Sequence, residues 1–266
     1  MKKEKQVIYY DDPLSDEFSA AQITPRTIDG SWVYVHTSLW KRLTHFFWYR
    51  VVAMPIGWVY LKLKFHHKIV GREKLKGAGK KGFFLYGNHT QAMADPFVPT
   101  MLAFPRDVCV IVHPNNVSMP YLGRVTPSMG ALPLPDDLAA SRNFVAAVKH
   151  HMERGHGICI YPEAHIWPYY TGIRPFSEKS FGYPIKYGGS VFCFTNTYQK
   201  RGKRVQMVTY IDGPFSPKEA LPLPQRKREL RDRVFEAMAE RAKSSNVEVI
   251  EYRRRDSDDQ HPVCGE

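Results

Sequence analysis

Cysteine is scarce in this sequence, and its spacing forms no metal or disulfide pattern. The 266 residues include four cysteines, with no C-x-x-C pair and no zinc-type spacing. We therefore expect no bound metal and no disulfide framework, but free thiols in a reducing compartment. The adjacent pairs His66-His67 and His150-His151 would diverge on any regular element, which also disfavours a metal hydrolase.

A long uninterrupted apolar run is also missing. The most hydrophobic stretch, 39–65, is rich in aromatic residues, but Arg50 and Pro55 divide it into pieces shorter than the about 20 residues of a membrane-spanning helix. We therefore expect no spanning helix. The aromatic rings and flanking lysines favour a helical segment that lies at a membrane surface. A helical hairpin buried against the sheet is the alternative.

No secretory signal is recognisable at the start of the sequence. The first residues, Met1 to Lys5, are mostly charged, and no apolar core follows them. The protein is therefore expected on the cytoplasmic side of the cell membrane, as a peripheral protein.

Acidic residues are too few to balance the basic ones. Asp and Glu number 26 against 38 Lys and Arg, which gives a net charge of +12. Such an excess predicts an anionic partner. From Lys62 to Lys81 there are eight basic residues and one acid, Glu73, without a helix-turn-helix, zinc or RRM pattern. We therefore expect an anionic membrane surface as the partner, and no nucleic acid.

Short apolar runs alternate with helical patterns from residue 82 onward. The runs that predict strands are 82–85, 107–112, 157–162, 191–197 and 205–211. Helical periodicity is clearest over 137–156 and 225–244. This alternation predicts an α/β fold with a mixed, partly parallel sheet flanked by helices.

Composition divides the chain into three parts. Residues 1–38 are mixed and polar, and we expect an extended arm that adds an edge strand to the sheet. Residues 39–250 form the predicted α/β domain, which begins with the interfacial segment 39–65. Residues 251–266, in which arginines are followed by acids, predict a disordered tail.

One stretch carries a candidate for acid–base chemistry. The strand predicted at 82–85 ends near Asn88, and His89 follows directly. A histidine at a strand end, oriented by a carboxylate such as Asp95, can use its second nitrogen as a base. On a straight helix the two side chains would point about 120° apart, so they can meet only if His89 lies in a loop or the first turn bulges. Glu163 also follows a predicted strand, and ligands of α/β sheets bind at this edge.

Four blocks of the sequence resemble the PlsC-like glycerolipid acyltransferases. Asn88-His89 and Asp95-Pro96-Phe97, with five residues between His and Asp, resemble the family's first motif, which has four. The other blocks follow in the family's order at 121–134, 158–165 and 181–185. Together the blocks cover roughly residues 40 to 215.

The third block departs from the family's Phe-Pro-Glu-Gly-Thr-Arg peptide, of which it keeps Pro162 and Glu163. The family's arginines for substrate phosphate would fall near Asp136 and Ile166, so both are missing. The loss of these motif residues suggests an alternative function. The protein would then be a peripheral membrane-binding protein that has kept the fold and lost catalysis.

The resemblance implies an acyltransferase of the 1-acylglycerol-3-phosphate O-acyltransferase type, active in phospholipid biosynthesis. It would move a fatty acyl group from a thioester of coenzyme A or acyl carrier protein to a hydroxyl of a lysophospholipid, with no other cofactor. His89 would act as general base and Asp95 would orient it. No G-x-S-x-G sequence occurs, which disfavours a covalent acyl-enzyme.

Four further residues are expected to bind substrate. Asn88 and Glu163 are two of these candidates, and Glu163 is expected to position the acceptor or the loop rather than to transfer a proton. Arg174 is the candidate for the acceptor's phosphate, because a guanidinium can bind two phosphate oxygens at once. Lys179 is a weaker candidate for the same role.

Overall fold

The structure is a computed structural model that describes residues 5–18 and 23–255. Its strands are β1 Gln6–Tyr10, β2 Lys68–Val70, β3 Phe83–Gly87, β4 Val108–Val112, β5 Ala131–Pro133, β6 Gly157–Ile160, β7 Ser190–Arg201, β8 Arg204–Phe215 and β9 Ile250–Arg254. Its α-helices are α1 Leu39–Phe46, α2 Met54–Phe65, α3 Val98–Ala103, α4 Asn115–Ser118, α5 Leu122–Val125, α6 Leu138–Glu153, α7 Gly182–Tyr187 and α8 Leu223–Ala242. A π-helix covers Phe47–Ala53, and 3-10 helices cover Arg72–Ala78, Thr126–Met129 and Lys179–Phe181.

The main sheet of the described residues has seven strands in the order β2-β8-β7-β3-β6-β4-β5. Neighbouring strands are parallel except for the antiparallel hairpin of β7 and β8. The predicted mixed, partly parallel sheet is therefore confirmed. All five residues of the central strand β3 are buried, as expected for a parallel strand that is covered on both faces.

Helices cover both faces of this sheet. On one face, Leu61 of α2, Val98 of α3 and Leu85 of β3 belong to the same buried apolar layer. On the other face, α6 and α8 contribute Val148 and Val234 to a second apolar layer. Because side chains alternate along β3, successive residues of this strand enter opposite layers. The helices predicted over 137–156 and 225–244 are α6 and α8, and the side chain of Asp137 caps α6 by accepting a hydrogen bond from the amide of Ala140.

The amino-terminal arm and the start of the predicted tail pair with each other. β1 lies parallel to β9, with Gln6 opposite Ile250, in a separate two-stranded sheet. The arm was expected at the edge of the main sheet, so this placement corrects the prediction. The predicted tail boundary at residue 251 cuts through β9, where Tyr252 stacks on Trp167 with ring centroids 4.8 Å apart. Residues 256–266 of the predicted tail lie outside the described residues.

The segment 39–65 is one helical run, in which α1, the π-helix and α2 follow each other without a gap. Arg50 and Pro55 were expected to break it, but the backbone stays helical through this stretch, and the π-helix changes to α2 immediately before Pro55. None of the helices in the described residues has the length and hydrophobicity needed to cross a membrane. Tyr49 and Phe65 are buried, whereas many other apolar side chains of the run are exposed. The run therefore packs on the domain along one side and presents an apolar surface on the other.

Candidate active site

His89 lies in a loop at the carboxyl end of β3. A Cβ atom at Gly87, the last residue of the strand, would lie 2.0 Å from Cζ of Phe194, so only glycine fits there. The following helix, α3, begins at Val98. Both His89 and Asp95 therefore precede the helix. Of the two arrangements that the spacing allowed, the structure has His89 in a loop and not in a bulged first turn.

His89 and Asp95 are in direct contact. The distance from His89 Nδ1 to Asp95 Oδ2 is 2.8 Å. The same oxygen accepts hydrogen bonds from the amides of Thr90, at 2.9 Å, and Gln91, at 2.8 Å. Because a carboxylate accepts hydrogen bonds, this contact keeps the proton on Nδ1 and leaves a lone pair on Nε2. Within the described residues Nε2 has no protein partner, and 18% of the His89 side chain is exposed.

Asp95 itself is completely buried. On the side away from His89, a chain of hydrogen bonds reaches its other carboxylate oxygen. Asn196 on β7 places its amide nitrogen 3.4 Å from Asp95 Oδ1 and accepts a bond of 2.6 Å from the Thr209 hydroxyl. His67 Nε2 lies 2.7 Å from that hydroxyl. Since the Thr209 hydroxyl donates its only hydrogen to Asn196, His67 must donate its Nε2 hydrogen to the Thr209 oxygen. Burial lowers the pKa of His67 to about 4, so the ring is neutral at neutral pH.

These supporting residues could not be predicted from the sequence motifs, because each is distant from Asp95 in the chain. A local signal was nevertheless present. Thr195, Asn196 and Thr197 are polar residues inside an otherwise apolar strand and are fully or almost fully buried. Buried polar side chains need partners. Such a triplet indicates a polar network on at least one face of a central strand.

Tyr161 forms one wall of the site. Its ring stacks on the His89 imidazole with centroids 4.4 Å apart and planes inclined by 19°. Its hydroxyl donates a hydrogen bond of 2.6 Å to the backbone oxygen of Asp95. Tyr161 therefore restrains both members of the pair, the ring of one and the backbone of the other.

Asn88 has a structural role in this arrangement. Its side-chain amide donates to the backbone oxygen of Asn196 at 3.0 Å and accepts from the amide of Asn196 at 2.8 Å. The residue is 1% exposed. Both hydrogen bonds join the end of β3 to β7, so the geometry does not support the predicted substrate contact of Asn88.

Glu163 fixes the loop that carries His89. One carboxylate oxygen accepts from the amide of His89 at 3.0 Å, and the other accepts from the amide of Arg174 at 2.9 Å. Burial raises the pKa of Glu163, and the nearby guanidinium and the two amides oppose this effect. Glu163 was predicted to position either the acceptor or the loop. Its hydrogen bonds hold the loop, so it is a positioning residue behind His89.

Arg174 is also inside the protein. Its guanidinium lies 3.5 Å from the Glu163 carboxylate and donates to the backbone oxygens of His165 and Pro13. Only 1% of the side chain is exposed, and burial lowers its pKa. With Nη1 and Nη2 directed at protein oxygens and the side chain enclosed, Arg174 does not meet the geometry for binding an acceptor's phosphate. The prediction of that role is not supported.

Lys179 is exposed but lies away from His89. It opens the 3-10 helix Lys179–Phe181, whose Phe181 belongs to the apolar layer of α6 and α8. His89 stacks on Tyr161, which packs against the opposite layer. The 3-10 helix that Lys179 opens therefore packs on the other face of the sheet from Tyr161, and no contact among the described residues supports a phosphate-binding role for Lys179.

Comparison with known proteins supports the fold. No protein-family model matches the sequence, and no curated protein matches it significantly. The fold is similar to the crystal structure of the 1-acyl-sn-glycerophosphate (LPA) acyltransferase, PlsC, from Thermotoga maritima, with a TM-score of 0.51. The two sequences are 15% identical, and the match covers 78% of this chain and 81% of that chain. A similarity at this level of identity establishes a shared fold and leaves function to be argued from the site.

Proposed function

We propose that this protein is an acyltransferase that moves a fatty acyl group from a coenzyme A or acyl carrier protein thioester to a hydroxyl of a lysophospholipid such as 1-acyl-glycerol-3-phosphate. The observation that carries the proposal is the His89–Asp95 contact of 2.8 Å at the carboxyl edge of the sheet. The similarity of the fold to that of an LPA acyltransferase supports the same choice of reaction.

His89 supplies the base for this reaction. Its Nε2 takes the proton of the acceptor hydroxyl while the hydroxyl oxygen attacks the carbonyl carbon of the thioester. The C–S bond then breaks, and the imidazolium returns the proton to the leaving thiolate. Asp95 stabilises the imidazolium during the step, because its carboxylate is buried and bonded to Nδ1.

A covalent acyl-enzyme is disfavoured on a second ground. The cysteines in the described residues, Cys109, Cys159 and Cys193, are all buried, and burial raises the pKa of each thiol. A thiol in such surroundings carries little of the reactive thiolate at neutral pH. Direct transfer from the thioester to the alcohol is therefore the mechanism that we propose.

The proposed reaction is tested by thiol release from an acyl thioester. Purified protein is mixed with acyl coenzyme A in detergent, and free thiol is measured with and without 1-acyl-glycerol-3-phosphate. We expect release that depends on the acceptor, and a product that carries a second acyl chain. No acceptor-dependent release with coenzyme A or acyl carrier protein thioesters of several chain lengths would instead favour a peripheral protein that has lost catalysis.

The exposed side of the run 39–65 is proposed to bind the surface of an anionic membrane, on its cytoplasmic side. Trp40 is 72% exposed and Trp58 is 56% exposed, and both are accompanied by other exposed apolar residues: Leu39, Leu43, Phe46, Phe47, Val51, Ile56, Val59 and Leu63. The basic residues of 62–81 follow directly in the chain. Aromatic rings prefer the headgroup region of a bilayer, and cations near an anionic surface contribute about 1 kcal/mol each.

We expect the double substitution Trp40→Ala/Trp58→Ala to release the protein from vesicles that contain anionic lipid, because it removes two large exposed rings. Co-sedimentation with such vesicles measures the effect, and binding of the parent should weaken as salt is raised. Tyr9→Ala is the matched control, since Tyr9 is exposed on β1 and outside this run. Equal sedimentation of the double variant and the parent would contradict the proposed surface.

A further inference from the structure

Cys109, His151 and His156 form a cluster that the proposed reaction does not use. Each offers one ligand atom, and these atoms lie within 4.8 Å of one another. In the parts of the chain that the structure describes, this is the only group of three or more His, Cys, Asp or Glu side chains close enough to hold one ion. The two imidazoles meet through their Nδ1 atoms, which are 3.1 Å apart.

Three elements of the fold bring the cluster together. Cys109 lies on β4 and faces the layer of α6, and His151 lies in the last turn of α6. His156 follows in the connection to β6, and its amide donates to the backbone oxygen of His151 at 3.0 Å. β4 and β6 pair with Cys109 opposite Ile158. Regular backbone hydrogen bonds therefore set the position of all three side chains.

The donor types suit a metal ion. Only one hydrogen can lie between the two Nδ1 atoms, and the other nitrogen presents a lone pair. Cys109 is buried as a thiol, because burial raises its pKa. Two neutral imidazoles and one thiol are the donor set of zinc and similar metals, whereas magnesium and calcium prefer oxygen ligands.

We propose that Cys109, His151 and His156 bind one thiophilic divalent metal ion of the zinc class. Two nitrogens bound to tetrahedral zinc at 2.0–2.1 Å would lie roughly 3.3 Å apart, close to the 3.1 Å between the two Nδ1 atoms. The ion replaces the thiol proton, which passes to solvent, so one proton is released for each metal bound. The imidazole hydrogen that lies between the rings moves to Nε2 of the same ring through solvent.

Some of the neighbouring charges favour a cation at the cluster, and others oppose it. Asp107 is near His156 and favours a cation there, whereas Arg154 and His45 oppose it. The carboxyl end of α6 also favours a cation, because the helix dipole is negative at that end. The sequence spacing gave no sign of the site, since the chain separates Cys109 from the histidines by a strand, three short helices and most of α6.

The position of the cluster assigns it a structural role. Cys109 is the second residue of β4 and His156 immediately precedes β6, so the cluster lies at the amino ends of these strands. His89 lies at the carboxyl end of the parallel strand β3. The metal would therefore stabilise the β4, α6 and β6 connection without contact to the reacting groups.

The test uses the full chain, stripped of metal with a chelator under reducing conditions and titrated with Co²⁺. We expect a thiolate-to-cobalt charge-transfer band in the near ultraviolet, which saturates at one equivalent and disappears when Zn²⁺ is added. Release of about one proton per metal at pH 7 should accompany binding. Zn²⁺ should also raise the midpoint of thermal unfolding, because it binds the folded state alone.

Cys109→Ser, which nearly keeps the size of the buried side chain, should remove the charge-transfer band. His151→Gln and His156→Gln should each weaken Zn²⁺ binding by on the order of 100-fold or more. Cys193→Ala and His150→Ala are matched controls. Cys193 is another buried thiol, and His150 is the neighbour of His151 outside the cluster.

Cys264→Ser serves as the control for the thiol outside the described residues, and circular dichroism confirms that each variant is folded. A band that persists in Cys109→Ser, or is lost in Cys264→Ser, would overturn the proposal. So would the absence of any band in the folded parent protein. Neither result bears on acyl transfer, which is measured separately.

Discussion

Replacement of His89 by alanine is expected to lower the rate of acyl transfer by about 10²- to 10⁴-fold, the range typical of a lost general base. Asp95 cannot take over as the base, because its carboxylate is buried behind the ring. Thiol release in the presence of a lysophospholipid acceptor measures the effect. The loss should fall on kcat, since the imidazole acts on the proton that moves in the transition state.

The fold should survive this substitution. In the variant, Asp95 keeps its hydrogen bonds from the amides of Thr90 and Gln91, so no buried carboxylate is left unpaired. His113→Ala is the matched control, because His113 also follows a strand at the carboxyl edge and is exposed. We expect the control to have the activity of the parent. Parental activity in His89→Ala, with matched thermal melts, would remove His89 from the reaction.

Substitution of Arg174 by methionine is expected to lower the free energy of unfolding by about 3 to 5 kcal/mol, the usual cost of removing one partner of a buried ion pair. Both Arg174 and Glu163 have side chains that are 1% exposed, so the remaining carboxylate would be buried without its cation. The effect on activity should be the same for phosphorylated and uncharged acceptors, because the guanidinium faces protein oxygens. Urea unfolding measures the change in stability. Acyl-transfer assays with a phosphorylated and with an uncharged acceptor measure the effect on activity.

Lys179→Met provides the comparison for a cation that is exposed, and we expect its stability to stay within about 0.5 kcal/mol of the parent. The double variant Glu163→Gln/Arg174→Met should lose less stability than the sum of its single variants, since the pair is removed as a unit. A stable Arg174→Met protein that fails only with the phosphorylated acceptor would show that Arg174 binds phosphate after all.

Much of the local structure is determined by short-range sequence patterns. Apolar runs of a few residues predict the buried strands β3, β4 and β6, and a helical repeat followed by Gly155 predicts α6. The position of His89 at a strand end follows from the same local reasoning. These predictions succeed because periodicity within a window of about 10 residues is enough to specify a buried strand or an amphipathic helix.

Short-range sequence patterns could not show whether His89 contacts Asp95. Two arrangements were compatible with five intervening residues, and the choice depends on where α3 begins. Pro96 disfavours a helical conformation at Asp95, and the carboxylate folds back onto the amides of Thr90 and Gln91. Whether that folded loop is stable depends on Asn196, which reaches Asp95 from a strand about 100 residues away.

The sequence by itself determined the class of fold, the position of the candidate base at a strand end and the excess of positive charge. Tertiary structure decided which polar residues are exposed to a substrate and which are enclosed. Arg174 has the chemistry of a phosphate ligand, but the order of the strands and the packing of Trp167 enclose it beside Glu163. Cys109 and His156 become neighbours only because β4 pairs with β6. Burial and strand order arise from contacts between distant segments, and no local periodicity encodes them.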